Sequence, residues 1–282
     1  MLFSIGSFLD LQISITLSVL MNNNSFIKLI AYSMTYLGDI APFLIILFLI
    51  AILVNCLVFK FNPGYKNFLI AFVQFLFYLI FVLTCTSSLW LFHDLQSGEK
   101  VYYFTALGIN LILGFAVQLV IILKLNNYQK CQKFMTPVFK AITFLIILGL
   151  AILILKYSFG RPRFRDLQSD YSDFKNWYEN IFSSQNRGTS FPSGHMGMVC
   201  FYLSLKWFLK PLKWQDNYQE KILTALFWLM IFLMGFARIV IKAHFLTDVV
   251  MTPIIALLVF WVSDIIVEKI KEVNFKAEVI NE

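Results

Sequence analysis

Residues 137–157 read PVFKAITFLIILGLAILILKY. Between Lys140 and Lys156 no residue is charged, and only Thr143 and Gly149 interrupt a run of Ala, Ile, Leu and Phe. A helix needs roughly 20 mostly apolar residues to cross the hydrocarbon core of a bilayer. Six further segments have the same character, at about 39–59, 68–90, 101–123, 194–209, 222–241 and 247–267, the one at 194–209 being the shortest. The whole chain agrees with this reading. Of its 282 residues 59% are hydrophobic and 14% charged, against about 25% charged in a soluble domain. That much apolar surface has no place in one water-soluble core, so lipid is the expected solvent. The predicted fold is an all-α, polytopic membrane helix bundle. The longest polar stretch, 158–192, lies between two spans, so residues 1–282 are expected to form a single membrane domain. No internal repeat and no low-complexity tract interrupts it.

The N-terminal region is less regular. Asp10 and Gln12 break the first apolar stretch, and 25–37 mixes polar with large apolar residues. Residues 8–37 are expected to form amphipathic helices lying in the membrane interface, followed by an extra span at 39–59. The N-terminus lacks a basic region and a small-x-small site, so no cleavable signal peptide is expected. Cys56, Cys85, Cys131 and Cys200 sit in or beside apolar runs without CxxC or CxxH spacing. They read as packing residues, with no metal ligand set and no cofactor implied.

The net charge of +7 reads as a topology signal, not as a nucleic-acid surface. Lys60 and Lys66, then Lys124, Lys130, Lys133 and Lys140, then Lys206, Lys210, Lys213 and Lys221, then Lys269, Lys271 and Lys276 all fall on one side of a seven-span chain. The opposite connection at 91–100 has one Lys against Asp94 and Glu99. The basic side should be cytoplasmic, which puts 158–192 and the turn near 238–247 on the outer face.

Charged and polar residues cluster at that outer boundary. Lys156 ends the fourth span and is followed by Arg161, Arg163 and Arg165. Pro192-Ser193-Gly194-His195 opens the fifth, Arg238 ends the sixth, and His244 and Asp248 open the seventh. A single cation at the end of a span usually snorkels to the interface, and a Ser-Gly pair usually caps a helix. The convergence of three distant segments is what these ordinary roles leave unexplained. His93, the third histidine, has no such company. Arg and Lys are what a phosphate dianion requires, as bidentate forks and a point charge. The backbone around Ser193, Gly194 and His195 adds N–H donors. His244 and Asp248, four apart, would share a face of a helix. The carboxylate then orients one imidazole nitrogen and leaves the other as nucleophile or base. His195 is free to act as the general acid.

Lys156-x6-Arg163, Pro192-Ser193-Gly194-His195 and Arg238-x5-His244-x3-Asp248 resemble the three signature motifs of the type 2 phosphatidic acid phosphatase superfamily. The order and in-motif spacings agree, and the spans from 68 to 267 look like that family's six-helix core. The resemblance implies a metal-independent phosphatase in which His244 forms a phosphohistidine, Asp248 orients it and His195 is the acid. Lys156, Arg163, Arg238, Ser193 and the Gly194 backbone would hold the phosphate. Two positions depart from the pattern: Phe164 stands where the family has Pro, and Ala237 where it has Ser. Arg161-Pro162 offers an alternative frame, but Arg163 keeps the spacing. Arg161 and Arg165 are then expected to touch a second phosphate or the head group, with the aromatics of 158–192 forming a rim.

The implied partner is a phosphorylated lipid in the membrane, with polyprenyl diphosphate, phosphatidylglycerophosphate, phosphatidate and lipid A as candidates. The expected setting is the inner, cytoplasmic membrane of a bacterium, with the site facing the periplasm or exterior. A lipid phosphotransferase would carry the same motifs. An anion transporter would more typically place its charges near the midplane of related halves, and no related halves are visible here. The topology is directly testable. A Cys introduced near residue 175 should react with an impermeant thiol reagent from outside, and one near residue 214 should not. The reverse pattern would place the cluster on the cytoplasmic face.

Overall fold

A computed structural model describes residues 2–21, 24–61, 72–76, 78–80, 82–83, 97–125, 127–179, 181–182, 188–212 and 217–281. The fold is an all-α membrane helix bundle, with no strand among the described residues. Helix α1 spans Leu2–Val19, α2 Ser25–Phe61, α3 Ser97–Lys124 and α4 Tyr128–Phe159. A short α5, Gly194–Cys200, runs directly into a 3-10 helix, Phe201–Phe208. Then come α6, Asn217–Val240, and α7, Leu246–Asn281. Side-chain amides start two of them. Asn24 Oδ1 accepts from the backbone N–H of Phe26 and Ile27 at 3.0 and 3.2 Å, and Asn127 Oδ1 from that of Lys130 at 2.8 Å. These are N-caps of α2 and α4, satisfying donors that the first turn leaves unpaired.

Four helices among the described residues are long and apolar enough to cross a membrane: Ser25–Lys60, Tyr128–Asp166, Tyr218–Val240 and Leu246–Val273. The expected spans at 39–59, 137–157, 222–241 and 247–267 fall on these. Helix α3 covers the expected span at 101–123. Most of the expected span at 68–90 lies outside the described residues, as do Lys66, Cys85, His93, Asp94, Arg187 and Lys213.

Two expectations need correction. Residues 25–37 are not a separate interfacial helix, because α2 runs unbroken for 37 residues, about 55 Å at 1.5 Å per residue. The stretch at 194–209 is not one long α-helix either. It divides into seven α-helical and eight 3-10 residues. The 3-10 form rises about 2.0 Å per residue, so a short segment reaches farther than its length suggests. Helix α1 also differs from an interfacial helix. Asp10, Ser14 and Ser18 are all buried while Leu9 and Val19 are exposed. Its polar stripe therefore faces protein, whereas an interfacial helix would turn that stripe to water.

The chain folds as two compact units. One comprises Met1–Asp39, Ile146–Tyr202 and Thr224–Val259; the other Ile40–Leu145, Leu203–Leu223 and Phe260–Glu282. The second unit is held by aromatic packing. Trp207 stacks on Phe260 with centroids 4.1 Å apart, and Phe144 meets both rings edge-on. Lys140 makes ion pairs with Asp264 and Glu268 at 2.7 and 2.6 Å.

The first unit contains the motif residues. Helix α4 ends at Gly160, whose φ of 53° is the left-handed conformation that glycine adopts without strain. Residues 188–190 then run beside Gly160 and Arg161. Gly188 donates its N–H to Gly160 O at 3.2 Å, and Ser190 to Arg161 O at 2.9 Å. The approach is so close that a Cβ at Gly188 would lie 2.0 Å from Arg161 O. The obstacle is backbone, so no side-chain rotation relieves it. Gly188→Ala should therefore lower the melting temperature of the detergent-purified protein clearly. Gly149→Ala, with nothing within 4 Å of the added carbon, should be neutral or stabilising by up to about 1 kcal/mol. Equal melting temperatures for Gly188→Ala and wild type would refute the tight apposition.

Candidate active site

The last turn of α4 carries Lys156, whose Nζ donates to Thr189 O at 2.6 Å. Its side chain crosses above Gly194, where an added Cβ would sit 3.6 Å from Lys156 Cε. Arg163, in extended backbone just past the turn, donates from Nη2 to Thr189 Oγ1 at 3.3 Å. Thr189 thus anchors both cations, one through its carbonyl and one through its hydroxyl.

Ser193 occupies the N-cap position of α5, yet its side chain makes no capping bond. Its backbone N–H donates to Asp248 O at 3.1 Å. Its Oγ is buried and has no hydrogen-bond partner among the described residues. Arg238, in the last turn of α6, is 5% exposed. It donates from Nη1 to Thr35 Oγ1 at 3.4 Å, while its Nε is likewise buried without a partner. A buried hydroxyl and a buried guanidinium N–H left unpaired are costly in an apolar interior. Both are suited to an anion.

His244 lies in the turn between α6 and α7. The N–H groups of Ala243 and His244 both donate to Arg238 O at 3.1 Å, which closes that turn. His244 is not on a helix with Asp248, as the spacing of four suggests. It precedes the first residue of α7 by two, and Asp248, in the first turn, reaches back toward it. Asp248 Oδ2 accepts from the Phe245 N–H at 2.9 Å and lies 3.5 Å from His244 Nδ1. The contact to Phe245 is the reciprocal half of a capping box. Ser190 Oγ donates to the same carboxylate oxygen at 2.5 Å and lies 3.4 Å from His244 Nδ1. With its Nδ1 side turned to Asp248, the imidazole keeps Nε2 as its free nitrogen.

Burial pushes the His244 imidazole down to about 3; Asp248 pulls the other way, and Arg238 and Lys156 add to the depression. The ring is therefore neutral at any ordinary pH, and its free nitrogen holds a lone pair. A neutral imidazole fixed by a carboxylate, facing fixed cations, is suited to nucleophilic attack on a phosphoryl group.

His195, in the first turn of α5, pairs through Nε2 with Asp39 Oδ1 of α2 at 2.7 Å. Of the expected residues, Lys156, Arg163, Ser193, Gly194, His195, Arg238, His244 and Asp248 all belong to the first unit. Arg165 is exposed and its Nε lies 3.7 Å from Asp166 Oδ1.

Arg161 is a correction. It does not sit at a head-group rim: it is 1% exposed. Nη1 donates to Asp248 Oδ1 and Thr247 Oγ1, both at 2.8 Å; Nη2 donates to Asp10 Oδ2 at 2.8 Å, and Nε to Lys175 O at 3.0 Å. The guanidinium carbon lies 4.0 Å from the Phe245 ring centroid. With four of its five N–H donors committed and the side chain buried, it is not placed to hold a second phosphate. Two of the loop aromatics, Trp177 and Tyr171, are likewise engaged within the loop and its base. Trp177 stacks on Phe191 with centroids 5.5 Å apart, and Tyr171 on Phe164 at 5.7 Å.

Asp10, Asp39, Thr189 and Ser190 are the residues that motif reading missed. Lone acids in apolar helices are a signal in themselves, since an intramembrane carboxylate is expensive unless it has a partner and a purpose. Thr189 and Ser190 sit in a polar loop of ordinary composition and carry no such signal.

No curated protein and no solved structure gives a significant match to this chain. A family model described as the PAP2 superfamily matches residues 137–272. The matched region runs from within α4 past Asp248, so it contains every motif residue from Lys156 onward. Members of this family are generally phosphatases acting on phosphate esters. Over residues 137–272 the chain belongs to the PAP2 superfamily, the family of the type 2 phosphatidic acid phosphatases.

Proposed function

We propose that the protein is a metal-independent phosphatase of phosphorylated membrane lipids that works through a phosphohistidine at the outer face of the membrane. The observation that carries the reading is a buried His244 paired with Asp248 beside Lys156 and Arg238. Lys156, Arg163, Arg238, Ser193 Oγ and the Gly194 backbone hold the phosphate. Ser193 Oγ and Arg238 Nε gain in the substrate the partner they otherwise lack.

In the first step His244 Nε2 attacks phosphorus. The P–N bond forms as the P–O bond to the lipid breaks, and the departing oxygen keeps the electron pair. His195 gives that oxygen a proton, releasing the lipid alcohol or, from a diphosphate, the lipid monophosphate. In the second step water attacks the phosphohistidine, His195 takes back a proton, and inorganic phosphate leaves with His244 restored. Charge that shifts onto the phosphoryl oxygens meets fixed cations, as electrostatic catalysis of phosphoryl transfer requires.

The membrane setting supports a lipid substrate, because a lipid brings its phosphate to the boundary while its tails stay among apolar helices. Polyprenyl diphosphate, phosphatidylglycerophosphate, phosphatidate and lipid A all have that form. The outer-face assignment is supported by α4, which carries Lys130, Lys133 and Lys140 toward one end and Lys156 at the other.

The test is phosphate release by the purified protein against a panel of these lipids, with EDTA present. Wild type should release inorganic phosphate from at least one of them. His244→Ala should fold and insert normally yet fall to background on every substrate. Turnover by His244→Ala near the wild-type rate, or a strict need for added Mg²⁺ in the enzymatic step, would defeat the proposal. Phosphate appearing only on a second lipid would identify a phosphotransferase instead.

A further inference from the structure

Asp39 lies in α2, well outside the matched residues 137–272, yet it pairs with His195. We propose that Asp39 is the positioning residue of the general acid. It holds the His195 ring through Nε2–H, presents Nδ1 to the leaving oxygen and keeps the ring protonated until departure. This rests on the assignment of His195 as the acid given above.

Geometry is the first argument. His195 Nε2 and Asp39 Oδ1 are 2.7 Å apart, the length of a charge-assisted hydrogen bond. With one ring nitrogen so engaged, the other is the nitrogen left for chemistry, and the ring orientation is set. The α2 backbone reinforces this. A Cβ at Gly38 would lie 3.1 Å from His195 Cδ2 and 2.7 Å from Met234 Cε. Glycine at this position leaves room for α2 to come close to the ring, with Met234 and His195 packed against the space a side chain would take.

Electrostatics is the second. Burial pushes the His195 imidazole below its ordinary value, Arg238 of α6 and Lys156 of α4 add to that, and Asp39 of α2 is the acidic group that pulls the other way. The site needs opposite states of its two histidines: His244 neutral to attack, His195 protonated to donate. Burial among cations favours the neutral form of both rings, and what sets His195 apart is the closer carboxylate, 2.7 Å from Asp39 against 3.5 Å between His244 and Asp248. Environments that push paired groups apart are how one site runs both acid and nucleophile.

The experiment uses the full chain in detergent and compares kcat/KM for an alkyl lipid phosphate with that for p-nitrophenyl phosphate, whose leaving group departs without a proton. Asp39→Asn, a near-isosteric change at a partly exposed side chain, should lose about tenfold or more on the lipid and stay within about twofold on the aryl ester. Its basic pH limb on the lipid should move to lower pH, because the acid loses its proton more readily once the counter-charge is gone. Asp39→Glu should recover part of the loss. His195→Ala is run in parallel and should show the same selectivity for leaving group. If His195→Ala is selective but Asp39→Asn affects both substrates equally, or neither, Asp39 does not serve the acid and the proposal fails while the acid assignment stands. If His195→Ala is itself unselective, the acid assignment fails and the proposal with it.

Discussion

One buried cation between two buried carboxylates holds the first unit together. Arg161 donates to Asp10 on one side and to Asp248 on the other. Three segments far apart in sequence meet there: α1, the chain just after α4, and the start of α7. Burying these charges is tolerable only because the donors and acceptors are so fully matched. Asp10 Oδ1 accepts the Thr247 N–H at 3.0 Å, the Thr247 hydroxyl donates to Asp10 Oδ2, and Asp248 collects Arg161, Ser190 and the Phe245 N–H. Removing one partner from such a network typically costs about 3–5 kcal/mol, because a charge is left buried and alone. The orientation of Asp248, and through it that of His244, therefore depends on a residue in the first helix.

This arrangement divides the arginines by role. Arg161 is consumed in construction. Arg163 and Arg238, by contrast, keep donors for an incoming anion: among the described residues Arg163 donates to Thr189 Oγ1 at 3.3 Å and the Nε of Arg238 has no hydrogen-bond partner. The proposed phosphate pocket is thus charged by one set of cations and shaped by another. The departure from the family pattern at Phe164 fits the same economy, since that ring is buried and packs against Phe245 and Tyr171. Ala237 is fully buried as well.

Much of this was legible in the sequence, and what was not has physical reasons. Long apolar runs declared α2, α4, α6 and α7, because lipid demands length and apolarity together. The motif residues declared themselves by spacing, since groups that act on one phosphate must sit at set intervals on neighbouring helix ends. Composition could not show that 194–209 changes helix type, because apolar residues suit either geometry. Nor could it separate Arg161 from Arg163, two residues apart and chemically alike. Their fates differ only because Asp10 waits for one of them, and a contact across 151 positions leaves no local trace. Asp10 looked like an interruption of an apolar segment, and Asp39 stood at the start of one without drawing notice; the first braces Asp248 through Arg161 and the second pairs with His195.

The central claim is a covalent phosphoryl group on His244. Phosphohistidine is stable in alkali and labile in acid, so the most direct measurement is an alkaline quench of the purified protein during turnover, followed by mass spectrometry of the peptide containing residue 244. The account predicts one added phosphoryl group on His244, lost on brief acid treatment and missing from His244→Asn. A phosphoryl group on His195 or a carboxylate, or none under conditions where dephosphorylation is made slow, would contradict it.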